Sequence, residues 1–309
     1  MKYKEWIMEW YENYVKPTSK TKTCICYSSI IGRQIIPKLG DYELDEITPL
    51  ILQRFITELL TTGNSKTGGG LASNSVNLII TIVQESLETA VTVGLTETYI
   101  GDKVKRPKTK ERKVESFSRT EQKLIEEAVL KHSKPRMLGV LLCLYTGLRI
   151  GELLALEWKD IDLKKRELSV NKSCTDYVSM EGKYIRVIEL PKTDTSVRII
   201  PIPKQLIQIL RELKLNNKSK YVVGEGSKVI SVRSYQRSFE ALLRKLNISH
   251  KCFHALRHTF ATRALESGMD VKTLSEILGH KNPTVTLTRY AHTFIEHKRQ
   301  MMDKLGSLL

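Results

Sequence analysis

The sequence predicts a mainly α-helical protein with a small antiparallel β-sheet, divided into a helical amino-terminal domain and a larger α+β domain. Three observations lead there. Helical apolar spacing recurs along most of the chain, β-branched alternation is confined to short stretches between residues 167 and 202, and a run of cations at 103–113 interrupts the apolar pattern. A length of 309 residues suits two domains better than one. Strands and helices do not alternate, which argues against a doubly wound sheet. No internal repeat or low-complexity tract is found.

Residues 1–102 read as four helices. The opening Tyr3-Lys4-Glu5-Trp6-Ile7-Met8-Glu9-Trp10-Tyr11 has helical period and puts Trp6, Trp10 and Tyr14 on one face. A second helix is expected from Lys22 to about Pro37, then a turn and a short extended piece over Leu39 to Leu44. Thr48 can cap a third helix, with Pro49 in the favoured first position. Ile51, Leu52, Phe55, Ile56 and Leu59 give that helix one apolar face. The glycines between Gly63 and Gly70 break the pattern. Ser73 can cap a long fourth helix to about Val93, stopped by Gly94.

Residues 103–117 read as a linker. Lys103, Lys105, Arg106, Lys108, Lys110, Arg112 and Lys113 put seven cations in eleven residues against Glu111 alone, and Pro107 disfavours a continuous helix. The run is either a solvated hinge or a strap across a nucleic-acid backbone. Its place between two candidate DNA-contacting domains favours the strap.

The second domain, 118–309, opens at Ser118-Arg119-Thr120-Glu121, a capping start. Helices are expected at 120–132 and 135–147, then strands at Glu167 to Val170, Ile185 to Leu190 and Val197 to Ile202. Helical patterns return at 203–214, 233–246, 254–267, 270–278, 283–290 and 294–305.

Apolar content of 41% excludes wholesale disorder. The net charge is +16, and its distribution is uneven. Residues 1–115 hold 16 Lys and Arg against 14 Asp and Glu, whereas residues 116–309 hold 34 against 20. That excess suits a polyanion-binding half, although charge alone is equally met by a solvated basic surface. Cys24, Cys26, Cys143, Cys174 and Cys252 are odd in number and irregularly spaced, and are read as reduced thiols of a cytoplasmic protein. No apolar run approaches the ~18 residues of a membrane span. Cys252, His254 and His258 invite a zinc reading, but no second cluster completes four ligands. No Gly-x-x-x-x-Gly-Lys-Ser/Thr loop occurs. Neither metal nor other cofactor is expected.

The chemistry concentrates in three motifs. Thr146-Gly147-Leu148-Arg149-Ile150-Gly151-Glu152 comes first. His254-Ala255-Leu256-Arg257-His258-Thr259 follows, and Leu278-Gly279-His280-Lys281-Asn282-Pro283 precedes Tyr290. Two guanidiniums can clamp a phosphate, imidazoles can hydrogen-bond it and move protons near neutrality, and a phenol can attack phosphorus. The turn at Gly147 can expose a helix N-terminus to an anion near Arg149. Glu152 either orients a cation or complements the helix dipole. His254 and Arg257 share a helical face, whereas His258 lies on the neighbouring one and reads as structural. Gly279 suits a left-handed cap that turns His280 inward. Tyr290 is the only tyrosine after Tyr235.

In this order and spacing the motifs resemble those of the tyrosine recombinases, the phage-integrase family. The likeness covers essentially the whole chain and is strongest over 118–295. The resemblance implies that Arg149 and Arg257 clamp the scissile phosphate, that His254 is the general acid/base, and that His280 donates a hydrogen bond. It implies that Tyr290 is the nucleophile. Lys192, in the turn Leu190-Pro191-Lys192-Thr193-Asp194, would enter the minor groove and protonate the leaving oxygen; Lys172 and Lys183 border the same region. Double-stranded DNA is the implied partner. The tail from Thr293 to Leu309 would dock on a neighbouring protomer of a homotetramer, or else pack on its own domain. Host DNA-bending or excisionase factors are possible further partners.

Three function classes follow: a site-specific recombinase of a mobile element, a type IB topoisomerase-like relaxing enzyme, and a non-catalytic DNA-binding regulator. The complete inventory argues against the regulator, and the apolar tail against the relaxing enzyme. Ile36-Pro37-Lys38-Leu39-Gly40-Asp41-Tyr42-Glu43-Leu44 resembles the core-binding domain of phage and conjugative-transposon integrases. The chain starts almost at that domain, without the arm-binding domain such integrases usually carry, which keeps a Xer-type resolvase or an invertase as the runner-up.

Overall fold

The computed structural model describes the chain apart from residues 66, 110–114, 133–134, 179–182, 190–196, 225, 227, 281, 291–298, 300–301, 304–305 and 307–309, and the side chains of His132, Val285, Thr288, Arg289 and Tyr290. Two compact units emerge: Met1–Arg112 with Val178–Lys183, and Lys113–Tyr177 with Tyr184–Leu309.

In the first unit, α1 (Tyr3–Trp10) runs into a π-helical turn at Tyr11–Val15. The wider turn shifts the inward face. Trp6, Trp10, Tyr11 and Val15 are therefore buried, while Tyr14, expected on the buried face, is 44% exposed. The indole of Trp6 donates to the Ser86 carbonyl at 2.9 Å, and that of Trp10 donates to Thr89 Oγ1 at 3.0 Å. Both tie α1 to a helix far along the chain.

The second predicted helix is a continuous helical run of three pieces: α2 (Thr21–Ile30), a π turn (Ile31–Ile35) and α3 (Ile36–Leu39). The ladder widens just before Pro37, which has no N–H to donate. The expected turn follows at Gly40 and Asp41, the extended piece is reduced to Glu43, which bridges to Lys2, and a 3₁₀ turn takes over at Leu44–Glu46. Thr48 caps α4 (Pro49–Thr62) as expected, accepting from the Ile51 N–H at 3.3 Å. In α5 (Ser73–Thr92) the cap position is Ala72, so Ser73 is the first helical residue and not the cap. Gly94, at φ +78°, ends that helix.

The expected linker begins on this unit's surface. The Lys105 N–H donates to Gln53 Oε1 at 2.8 Å, and Asn77 Nδ2 donates to the Pro107 carbonyl at 3.1 Å. The Arg106 guanidinium rests on Thr81, at 3.2 Å, and Gln84. Residues 105–107 are thus fastened to α4 and α5.

The second unit begins with α6 (Arg119–His132), where Ser118 and Glu121 exchange hydrogen bonds in a capping box. Next come α7 (Pro135–Thr146) and α8 (Ile150–Ala155). The strands are β1 (Ile161–Asp162), β2 (Glu167–Val170), β3 (Ser173–Val178), β4 (Tyr184–Glu189) and β5 (Arg198–Pro201). They form two sheets and not one: β1-β2-β5, antiparallel, and β3-β4. The sequence reading missed β3 because only Cys174 of its six residues is buried, which leaves no alternation to read.

Helices α9 (Lys204–Asn216), α10 (Val232–Lys245), α11 (His254–Glu266), α12 (Val271–Leu278) and α13 (Pro283–Tyr290) complete the unit. Helix α7 is buried along most of its length, and α11 packs on it. These helices hold the loop at 147–149 and the end of α12 together. The predicted helix at 294–305 falls largely outside the described residues.

Candidate active site

Gly147 starts the construction. Its φ of +67° favours glycine, and a Cβ there would lie 2.6 Å from the Phe260 ring and 2.8 Å from Leu278. This tight turn presents the Gly147 carbonyl to Arg257 and places Arg149 as the N-cap residue of α8.

Arg257, in the first turn of α11, is only 2% exposed. A buried guanidinium needs acceptors. It donates to the Gly147 carbonyl at 2.8 Å through Nη1, and through Nη2 to the Leu278 carbonyl at 2.6 Å and to His280 Nε2 at 2.9 Å. The second and third of these come from the end of α12, which Gly279 closes in the left-handed conformation, φ +63°. His280 is thereby turned inward, and its Nδ1 lies 2.8 Å from Oγ1 of the buried Thr286 on α13.

Arg149 donates to Glu152 Oε1 at 2.8 Å and to the Gly279 carbonyl at 3.4 Å. Glu152 also takes the Arg149 N–H at 2.9 Å. The carboxylate therefore occupies the N-terminus of α8 itself, which corrects the expectation that this terminus is open to an anion. Glu152 is 7% exposed. Burial alone would raise its pKa. Hydrogen bonds and charge from Arg198, with the charge and N–H of Arg149, outweigh this and hold it at about 2, against an ordinary 4.5.

Arg198 and Thr286 were not singled out in the sequence. Arg198 Nη1 and Nη2 bind Glu152 Oε1 and Oε2 at 3.1 and 2.9 Å, and its Nε donates to the Ile277 carbonyl at 2.6 Å. A signal existed: residues 198, 200 and 202 share the inward face of the expected strand, so Arg198 had to be paired. Thr286 had none beyond its place between His280 and Tyr290.

Arg149, Glu152, Arg257 and His280 are thus brought together. His254 is the first residue of α11 and is exposed; its ring meets that of His258 edge-on, centroids 4.5 Å apart. Tyr290 ends α13, the helix that Thr286 ties to His280, and its side chain lies outside the described residues. Lys192 also lies outside them. Lys172 is mostly buried in ion pairs with Glu157, at 3.2 Å, and Asp160, at 2.8 Å. Of the cation run, Lys103, Lys105, Arg106 and Lys108 are exposed, while Lys110, Arg112 and Lys113 lie outside the described residues. Among the described residues no three His, Cys, Asp or Glu side chains group to hold a metal, and no helix is long and apolar enough to cross a membrane.

Comparison with known proteins matches residues 111–297 to the phage integrase family and residues 2–60 to the phage integrase N-terminal SAM-like domain. The chain belongs to the phage integrase family. It is accordingly a tyrosine recombinase, an enzyme of DNA strand exchange. A "Tyrosine recombinase XerC-like" protein of Caldanaerobacter subterraneus subsp. tengcongensis is 30% identical over 97% of this chain and 81% of its own length. The ICEBs1 integrase of Bacillus subtilis is 27% identical over 91% of this chain and 76% of its own. The Tn1549 transposon integrase in complex with transposon right end DNA has the same fold, with a TM-score of 0.80 at 22% identity, over 99% of this chain and 100% of that one. Membership of the phage integrase family supplies the reaction class.

Proposed function

We propose that this recombinase is the integrase of a mobile element, cutting and rejoining double-stranded DNA at specific core sites through a 3′-phosphotyrosine. One observation carries the reading. Arg149, Arg257 and His280 are tied together around the closed end of α12, and His280 is hydrogen-bonded to the helix that ends in Tyr290. Two guanidiniums and an imidazole so placed suit the charge that develops on a pentacoordinate phosphorus.

In this reading the Tyr290 phenol attacks phosphorus and its proton passes to His254. The P–O5′ bond breaks, and Lys192 gives the departing oxygen its proton. Rejoining reverses the order with a new 5′-hydroxyl. The phosphotyrosine bond conserves the phosphodiester energy, so no nucleotide or metal cofactor is required. Glu152 and Arg198 keep Arg149 in place.

Four strands must be cut in a coordinated order, so the working form is a homotetramer on DNA, coupled by the tail at 293–309. Host DNA-bending or excisionase factors would set direction, and the cytoplasm is the expected site of action. The XerC-like relative favours a second reading, a Xer-type resolvase or invertase. Plasmids carrying paired sites separate the two: an integrase joins sites on different molecules, whereas a resolvase deletes between direct repeats.

The primary test uses a nicked duplex bearing the site that the protein selects from a random-sequence library. Wild type should form a covalent adduct on a denaturing gel, and Tyr290→Phe should bind without forming one. An adduct in the variant would overturn the assignment. Deleting residues 295–309 should spare binding to a single site but reduce tetramers in light scattering.

A further inference from the structure

The hydrogen bonds around His280 fix where its proton sits. A guanidinium can only donate. Arg257 Nη2, 2.9 Å from His280 Nε2, therefore makes that nitrogen an acceptor. A neutral ring then carries its proton on Nδ1, which donates to Thr286 Oγ1 at 2.8 Å. Protonating both nitrogens would set N–H against N–H at Arg257.

A phosphoryl oxygen can only accept. To donate to one, a neutral His280 must carry its proton on Nε2, and its Nδ1 must then accept. A partner that accepts in one state and donates in the other is required at Nδ1. A threonine hydroxyl is such a group, because its O–H rotates to suit. Thr286 is fully buried, so water is not at hand to replace it.

We infer that Thr286 is a positioning residue that lets His280 exchange tautomers when the scissile phosphate arrives, and that it couples this exchange to the helix carrying the nucleophile. The inference rests on the site reading above. One proton leaves Nδ1 and one is taken up at Nε2, both exchanged with solvent when the half-buried ring swings away from Thr286, so the net charge is unchanged. Arg257 Nη2 is released from Nε2 toward the phosphate. Thr286 turns from acceptor to donor and keeps its bond to the ring. It lies four residues, about one helical turn, before Tyr290 on α13. The bond that holds the ring for phosphate therefore also holds that helix against the end of α12.

The test uses the whole chain with ¹⁵N-labelled histidine and the selected duplex. Imidazole ¹⁵N spectra report the tautomer directly, and His280→Gln identifies the signal. The expected result is a proton on Nδ1 in the chain alone and on Nε2 once Tyr290→Phe protein is mixed with the duplex. Thr286→Val removes the hydroxyl at nearly constant shape. It should slow adduct formation at least tenfold with binding changed less than twofold, while Thr286→Ser should stay within threefold of wild type. The same His280 tautomer with and without duplex, or wild-type cleavage by Thr286→Val, would overturn the inference. The tautomer comparison needs no variant at 286, so it decides even if the valine chain misfolds. A covalent adduct from Tyr290→Phe would instead bring down the site reading, and this inference with it.

Discussion

Arg198 closes a two-pronged grip on Glu152, with Nη1 3.1 Å from Oε1 and Nη2 2.9 Å from Oε2, and both side chains almost wholly buried. The grip spans β5 and α8, and the Arg198 Nε bond to Ile277 extends it to α12. Three elements that carry the site thus meet on one ion pair.

Such a pair is costly to break from one side. Arg198→Met leaves a buried carboxylate with Arg149 as its remaining guanidinium partner among the described residues. Stability should fall by about 3–5 kcal/mol. Adding Glu152→Gln should recover part of the loss, because an amide needs no counter-charge. Urea unfolding of both variants and of the double variant measures this. An Arg198→Met chain as stable as wild type would mean that the grip contributes nothing net.

The same pair sets an acid sensitivity. The Glu152 pKa is lowered from 4.5 to about 2 on folding. The unfolded chain therefore takes up this proton first as pH falls. The stabilisation is fully present above about pH 4.5 and is lost as pH drops toward 2, on the order of 3 kcal/mol in all. Other carboxylates titrate in the same window, so the test is a difference: wild type should lose more stability than Glu152→Gln between pH 5 and pH 2.5. Parallel curves would show that the carboxylate is not held in this way.

Much of this was legible in the sequence, for identifiable reasons. Thr48 before Pro49, Gly94 after a long helix and Gly279 after α12 are backbone signals that act locally. What was not legible depends on distant partners. Tyr14 follows the 3.6-residue period, but a π turn displaced it, and nothing local announces a π turn. Strand β4 pairs with β3, which carries no alternation. The motifs gave Arg149, Arg257 and His280, yet the groups that orient them come from β5 and α13, and a spacing rule does not reach across elements.

The donor set predicts how cleavage responds to chelation. The cluster offers guanidiniums and imidazole toward phosphate, and its one carboxylate, Glu152, is already engaged by Arg149 and Arg198. Adduct formation with the nicked duplex should proceed unchanged in EDTA and without ATP. Loss of the adduct on chelation, restored by a divalent cation, would assign the chemistry to another class.

The cation run near residue 105 has a fixed backbone. Gln53 holds Lys105 at both backbone groups, accepting from its N–H at 2.8 Å and donating to its carbonyl at 3.5 Å, and Asn77 holds Pro107. The backbone is fastened while the Lys105 and Lys108 side chains are exposed. A solvated hinge gains little from being fastened, whereas a strap that meets a phosphate backbone gains preorganisation. If it is a strap, Lys105→Gln and Lys108→Gln should each weaken binding to a random-sequence duplex. Each should also flatten the slope of log K against log salt by about 0.9. Arg106→Gln should have a smaller effect on the slope, since its guanidinium is already engaged by Thr81 and Gln84. Gln53→Ala separates order from charge: it frees the backbone but removes no cation, so affinity should fall with the slope unchanged. Fluorescence anisotropy across a salt series reads all four. Should the two lysine variants keep the wild-type slope, the cations face only solvent and the run is a hinge.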